Sequence, residues 1–491
     1  MVTGALLAKE GYQVTVLEKN SIIGGGLQMF KRYGIGFATG MHIFGGFQEG
    51  ENLRKICDYL GIMDKMELRP TDEDASDVVS VLADGATYRL PKGRERFVAY
   101  LSERFPEEKE GIKAYIDKIF ELSEEEALFY MKETPAYTFP VFSEDFNCPY
   151  DVLMDRYIHS PKLKGVLTYL TPLFDGKVGT SPAFLQALLS VLHICGTYQF
   201  VGGSQQMATA LAGVIEAAGG QVLANEEVVK IAVEDHHVTQ VETKKGHVFQ
   251  AENYISDLHP DILLRIISPN AFTSMFIKRI KSVSESLSSF TVFIKFKENA
   301  FPYLNHANYC LADYDDNLLD LNTIQASEWP RGFMYITPPE THQGEFAQSM
   351  VIVCLMSYEW ARPWEDTKTG RRGADYAQWK QAMMDKVLDR MEKLYPDFRN
   401  SIDKAFTASP LTIRDYYGNK EGSNYGFQKD SNNIMLSQLS VYTKVKNLFL
   451  TGQNVNLHGM CGVSLTAIET AEAFVGHNVI VRKINESSCR Q

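Results

Sequence analysis

Apolar and polar positions along the 491-residue chain change period from segment to segment, and those changes lay out the elements. Residues 2–11, VTGALLAKEG, carry small and apolar side chains at helical spacing and stop at Gly11. Val14, Val16 and Leu17 then form a short run suited to a parallel strand buried on both faces, and Glu18 stands where that run ends. A glycine cluster follows at 24–26, and residues 30–46 are too rich in glycine for a helix and read as a loop and hairpin. Helical spacing returns at 52–60, an Asp84-Gly85 turn joins two short strands within 78–90, and residues 94–132 hold two acidic amphipathic helices. Residues 132–142 mix proline with aromatics and make no single regular element; a packed connection and a loop lining an apolar pocket both suit them.

The second half continues in the same way. Residues 181–198 read as an apolar helix capped by Ser181 with Pro182 at its first position. A glycine turn at Gly202 and Gly203 opens a helix to Ala218, followed by strands around Val222 and 228–233 and a hairpin-like run at 246–258. Residues 289–296, 309–315 and 349–358 read as strands, and 373–396 as a long amphipathic helix stopped by Pro396, together implying a large antiparallel sheet with helices on one side. Residues 445–476 give an apolar strand, a Gly-Gln-Asn turn and a closing helix that starts near Gly462 and Val463.

Composition sets limits on function. With 45% hydrophobic and 22% charged residues the chain is an ordinary globular protein, and no run of about 18 apolar residues is present to span a membrane. The formal charge of −12 argues against nucleic acid and against electrostatic attraction to anionic lipid, while hydrophobic docking at a membrane surface stays open. Seven scattered cysteines without CxxC spacing and an N-terminus without signal-peptide character imply a reduced, cytoplasmic protein with no metal site.

Three glycine-marked junctions, at 18–26, 199–206 and 450–464, lie far apart in sequence but suit one nucleotide-binding sheet. Glu18 at its strand end is placed to accept both hydroxyls of an adenosine ribose. Gln453 and Asn454 could hydrogen-bond a polyol, and a helix start near Gly462 offers backbone N–H groups to a phosphate or to charge on a flavin. No nucleophile–base triad or carboxylate pair stands out, as expected where a cofactor carries the chemistry.

The segments VTVLEKNSIIGG, FATGMH, YQFVGGSQQMATAL with EEVVKI, and LFLTGQNVNLHGMCGV resemble the phytoene desaturase, carotenoid isomerase and retinol saturase-like branch of FAD-dependent oxidoreductases, over almost the whole length. The resemblance implies an α/β fold: a discontinuous Rossmann-like FAD-binding domain from 1–75, 199–265 and 440–491, and an α+β substrate domain, built on an antiparallel sheet, from 76–198 and 266–439. It implies FAD bound by Glu18 and Lys19, by Gly24, Gly25 and Gly26 near the pyrophosphate, and by the main chain of Val228 at the adenine. Gly452, Gln453 and Asn454 would lie along the pyrophosphate and ribityl chain, with Val463 and Ser464 beside Gly462 facing the flavin. Gly40, Met41 and His42 belong to the segment that covers the flavin; His42 is the catalytic candidate, although a structural histidine suits the same position.

The implied activity is saturation, desaturation or isomerisation of carbon–carbon double bonds in a long apolar polyene, with an apolar small-molecule substrate and an electron donor or acceptor of unknown identity. An amine-oxidase-like flavoenzyme is the alternative. The chain departs from the family pattern at Ala38, where relatives carry an acid, at Gly26, and in lacking the first strand and G-x-G-x-x-G loop ahead of Glu18. A gene start placed too late and a true loss both account for that last departure; the latter implies a non-catalytic member with weak FAD binding or none.

Overall fold

The computed structural model describes residues 1–135, 142–315 and 324–488, so most of the proline-aromatic segment at 132–142 lies outside the described residues. The opening helix, Val2–Lys9, buries every residue from Thr3 to Ala8. A helix apolar all round needs neighbours all round, and this one packs against Gln205–Ala217, Gly459–Val475 and Asn52–Leu60. It delivers the chain into strand Thr15–Leu17, which pairs in parallel with Gln221–Leu223. Glu18 N–H extends that ladder by donating to the Leu223 carbonyl at 2.8 Å, so the carboxylate leaves from the very end of the sheet.

Tyr254–Ser256 pairs in parallel with Leu448–Leu450. The run at 246–258 therefore divides: Val248–Phe249 completes a three-stranded antiparallel sheet with His237–Thr243 and Val228–Glu234, while the following strand crosses to the C-terminal segment. Among the described residues the two parallel pairs are not hydrogen-bonded to each other.

The large sheet has seven strands, in the order Ile402–Ala408, Ser288–Phe296, Ser349–Met356, Gly332–Ile336, Ala307–Leu311, Asp77–Val81 and Thr87–Leu90. All neighbours are antiparallel except Ala307–Leu311 with Asp77–Val81. Its central strands are buried along nearly their whole length. Continuous rather than alternating apolar runs mean that both faces are covered, not one. Val292, Ile352 and Met350 pack with Val387 and Met391 of the long helix Ala374–Leu394. On the opposite face Val79, Tyr309 and Met334 join the helical layer that includes Ala183–Cys195. That helix starts one residue after Pro182; the Ser181 hydroxyl is used in the preceding turn, accepting from Lys177 N–H and donating to the Asp175 carbonyl.

The same face receives the hairpin Met29–Arg32/Ile35–Ala38. Phe293 stacks on Phe406 with centroids 5.0 Å apart and meets Phe37 and Phe30 edge-on at 5.4 and 5.3 Å. This aromatic cluster ties the glycine-rich N-terminal segment to the large sheet and fixes where the chain re-emerges at Gly40. Phe293→Ala is expected to cost about 3–5 kcal/mol, the range for removing a buried phenyl group; a urea denaturation midpoint unchanged from wild type would show that the hairpin is held elsewhere.

Candidate functional site

The three glycine junctions converge. The loop at 23–29 is clamped by the start of helix Gln205–Ala217: Ser204 Oγ donates to the Leu27 carbonyl at 2.9 Å, Gln205 Nε2 donates to the Ile23 carbonyl at 3.1 Å, and Gln205 Oε1 accepts from Met29 N–H at 3.3 Å. Gly24 has φ +111° and lies so close to this helix that a Cβ would stand 2.6 Å from Ala208 Cβ. Gly25 has φ +56° with nothing within 4 Å of an added Cβ. The two glycines therefore have separate reasons: Gly24 lets loop and helix meet, and Gly25 keeps backbone open to an approaching group. At the third junction Thr3 and Thr451 share a hydrogen bond of 3.0 Å, and Asp257, beneath Gly452, is close enough to act on Glu18.

The Glu18 carboxylate accepts from Asn20 N–H at 2.7 Å. Burial, assisted by Asp257, raises its pKa above the ordinary carboxylate value. Strand Val228–Glu234 begins nearby, because Glu226 N–H donates to the Glu18 carbonyl at 2.8 Å. Lys19 Nζ donates to the Asp415 carbonyl at 3.3 Å.

Around Gly40 the surroundings are tighter. The Tyr417 hydroxyl donates to Thr39 Oγ1 at 3.2 Å, and a Cβ on Gly40 would come within 2.6 Å of the phenol oxygen. A Cβ on Gly26 would lie 3.7 Å from the same hydroxyl. Met41 packs against the core, and His42 Nδ1 is buried without a partner, its pKa pushed down to about 4 by desolvation.

The closing helix runs Gly459–Val475, three residues earlier than its sequence pattern suggests, with His458 as N-cap and no side chain capping it. Gly462 thus lies inside the first turn, where a Cβ would stand 2.6 Å from Leu457 Cβ, and the amides ahead of it are those left free. His458 Nε2 hydrogen-bonds the Leu173 carbonyl at 2.9 Å while its ring lies 4.5 Å from that of Tyr425, and burial lowers its pKa to about 4. Gln453 Nε2 donates to the Asn424 carbonyl at 3.4 Å. Asn454 Oδ1 and Ser464 Oγ are buried and unpartnered, whereas Val463 is only half-buried. Three of the candidate residues, His42, Asn454 and Ser464, thus hold buried polar atoms awaiting a partner, which fits a polar heterocycle and its side chain better than a packed core.

A second polar group went unread in the sequence. Asp77 accepts from Tyr169 Oη at 3.0 Å and pairs with His193 Nδ1 at 3.0 Å. The Tyr309 ring stands 4.9 Å from that of Tyr169, its hydroxyl buried and unpartnered. The one available signal was a histidine inside the apolar stretch 183–195.

A family model described as flavin-containing amine oxidoreductase matches residues 1–474. The chain belongs to that family. All-trans-retinol 13,14-reductase of Danio rerio is 25% identical over 520 residues, covering 98% of this chain and 84% of that protein. Prolycopene isomerase 2 of an Oncidium hybrid cultivar is 24% identical, covering 87% of this chain and 73% of its own. An oxidoreductase structure from Methanosarcina mazei aligns over 96% of this chain and 97% of its own at a TM-score of 0.64 and 14% identity, a likeness of fold. As a member of the flavin-containing amine oxidoreductase family the protein is a flavin-dependent oxidoreductase. Among the described residues no helix is long and apolar enough to cross a membrane.

Substitution separates the two glycine roles. Gly24→Ala meets both the Ala208 clash and a strained φ and should lower stability by about 1–3 kcal/mol along with flavin content; Gly25→Ala should lose flavin with a smaller fall in melting temperature. Equal effects of the two on both readouts would defeat this division. The histidines give a pH test. His42 and His458 have folded pKa values near 4, below the ordinary 6.5, so the unfolded chain binds more protons between those values and stability contributed there is lost as pH falls from about 6.5 to about 4. Urea midpoints of His458→Asn should hold up better than wild type across that window and match its pH trend above it.

Proposed function

We propose that the protein binds FAD and transfers a hydride to or from a carbon–carbon double bond of a long apolar polyene, by saturation, desaturation or isomerisation. The observation that carries this reading is whole-length similarity to proteins named for retinol reduction and prolycopene isomerisation. Bound FAD supplies the hydride chemistry. Glu18 accepts the hydroxyls of an adenosine ribose, which selects a dinucleotide over a mononucleotide, with the start of strand Val228–Glu234 beside it for the adenine. Free amides of the closing helix and the positive end of its dipole favour negative charge developing on the isoalloxazine ring. Asn454 and Ser464 supply the remaining polar partners.

The chain's own contribution to proton movement centres on Tyr417. Desolvation holds its phenol above the ordinary value, and Oη, donating to Thr39 Oγ1, lies packed against Gly40 and close to Gly26. Saturation needs one proton besides the hydride, and this hydroxyl is positioned to give it. His42, neutral across the working range, cannot serve as a cationic acid there. The family's name keeps amine oxidation as the second reading, since both chemistries share the nucleotide site.

The nucleotide released by heating the purified full-length protein should be FAD in stoichiometric amount; a nicotinamide dinucleotide with no flavin overturns the proposal, and peroxide formed from primary amines with polyenes untouched favours the second reading. In the reductive direction Tyr417→Phe should lower the rate roughly 100-fold at unchanged flavin content, and a loss below about twofold would remove the proton role from this residue.

A further inference from the structure

Beside helix Pro410–Tyr417 lies a half-open pocket of about 430 Å³, lined by the turn at 369–373, by Tyr376 and Lys380 of the long helix, and by Thr412. Its charges do not balance. Arg372, 7% exposed, is paired with Asp415 and also donates to the Trp364 and Thr367 carbonyls and to the Thr367 and Thr369 hydroxyls; Asp415 in turn holds Arg414 at 2.9 Å, and Asp375 is engaged by the Trp364 indole at 2.7 Å. Lys380 Nζ donates to the Thr407 carbonyl at 2.5 Å and, among the described residues, has no carboxylate partner. Arg32 has none either; its guanidinium lies 4.3 Å over the Phe406 ring. Burial first, then Arg32 and Arg372, push the Lys380 ammonium down to about 8, as expected of a cation crowded by cations. The Tyr376 ring lies under both cationic groups, 5.7 Å from Lys380 Nζ and 5.5 Å from the Arg372 guanidinium, and its hydroxyl is held by Ser409 Oγ at 2.6 Å.

We propose that this pocket is a binding site for a small phosphate- or carboxylate-bearing ligand, its anionic group seated against Lys380, with the Arg372 guanidinium in the wall and Arg32 close enough to add positive charge. An anion there supplies the counter-charge that Asp415, divided between two arginines, does not, and it does so in a partly desolvated place where charge-assisted hydrogen bonds are strong. Thr412 adds a hydroxyl, that of Thr369 being donated to Asp415, and the volume admits a ligand larger than the anionic group itself. The site is distinct from the flavin site but shares helix Pro410–Tyr417 with it: Asp415 faces Arg372 through its carboxylate and Lys19 through its carbonyl.

Isothermal titration of the flavin-loaded full chain, whose nucleotide site is already filled, tests this with inorganic phosphate, acetate and phosphatidylglycerol vesicles as separate probes. Binding of phosphate or acetate at millimolar concentration, weakened about tenfold or more in Lys380→Met and in the surface variant Arg32→Gln but kept in Lys380→Arg, is the expected result. Binding confined to the vesicles, with the same dependence on Lys380 and Arg32, assigns the anion to a lipid headgroup and supports the site. Absence of binding by all three probes, or binding undiminished in both Lys380→Met and Arg32→Gln, overturns it.

Discussion

The contact between Gly24 and Ala208 is the constraint on which the site depends. A loop from the N-terminal segment and a helix almost two hundred residues later approach so closely that a single methyl group would collide, and hydrogen bonds from Ser204 and Gln205 hold them in that register. Once the loop is fixed, the Met29–Ala38 hairpin leaves toward the large sheet, where Phe293 and Phe406 receive its Phe30 and Phe37. The chain then returns at Gly40 against Tyr417. One close approach thereby sets the positions of Glu18 on one side and of His42 and Tyr417 on the other.

The problem that this arrangement meets is electrostatic. A chain with a formal charge of −12 has to accommodate a polyanionic cofactor, and the residues brought together around Glu18 are acidic if anything, with Asp257 close to it. Lys19, beside it, donates to a carbonyl of the neighbouring helix. What the site offers are open backbone at Gly25 and the backbone amides at the uncapped start of Gly459–Val475. Amides have fixed positions and no net charge to be screened, so they can accept negative charge without a pool of cations.

Much of this was legible in the sequence. The Glu18 strand end, the glycine cluster, the turn at Gly452 and the helix after Gly203 are local patterns, each set by a few neighbouring residues, and the structure places them together. Less legible was anything that depends on which distant surfaces meet. The residue types around 24–26 do not say that Gly24 serves packing and Gly25 serves access, because that distinction lies with Ala208. The closing helix starts at Gly459 rather than Gly462, since His458 is held by Leu173, a residue nearly three hundred positions away. The second helical cover on the large sheet was missed because a strand buried on both faces, such as Ser349–Met356, shows no alternation to report which face is covered.

The Asp77, His193 and Tyr169 group shows the same limit from the side of chemistry. Each residue is unremarkable alone, and the parallel pairing of Asp77–Val81 with Ala307–Leu311 is what puts Asp77 and Tyr309 on one face of the sheet. A buried carboxylate that accepts from both a phenol and an imidazole has its needs met, whereas the Tyr309 hydroxyl beside it does not. Buried hydroxyls rarely stay unpartnered at no gain, because each forfeits the hydrogen bonds it made in water. Tyr309 faces the helical layer close to Tyr425, whose ring lies 4.5 Å from that of His458 at the start of the closing helix. The unmet hydroxyl therefore lies in the same buried polar surroundings as the start of the closing helix, and a polar atom entering between the large sheet and that helix would find its donor there.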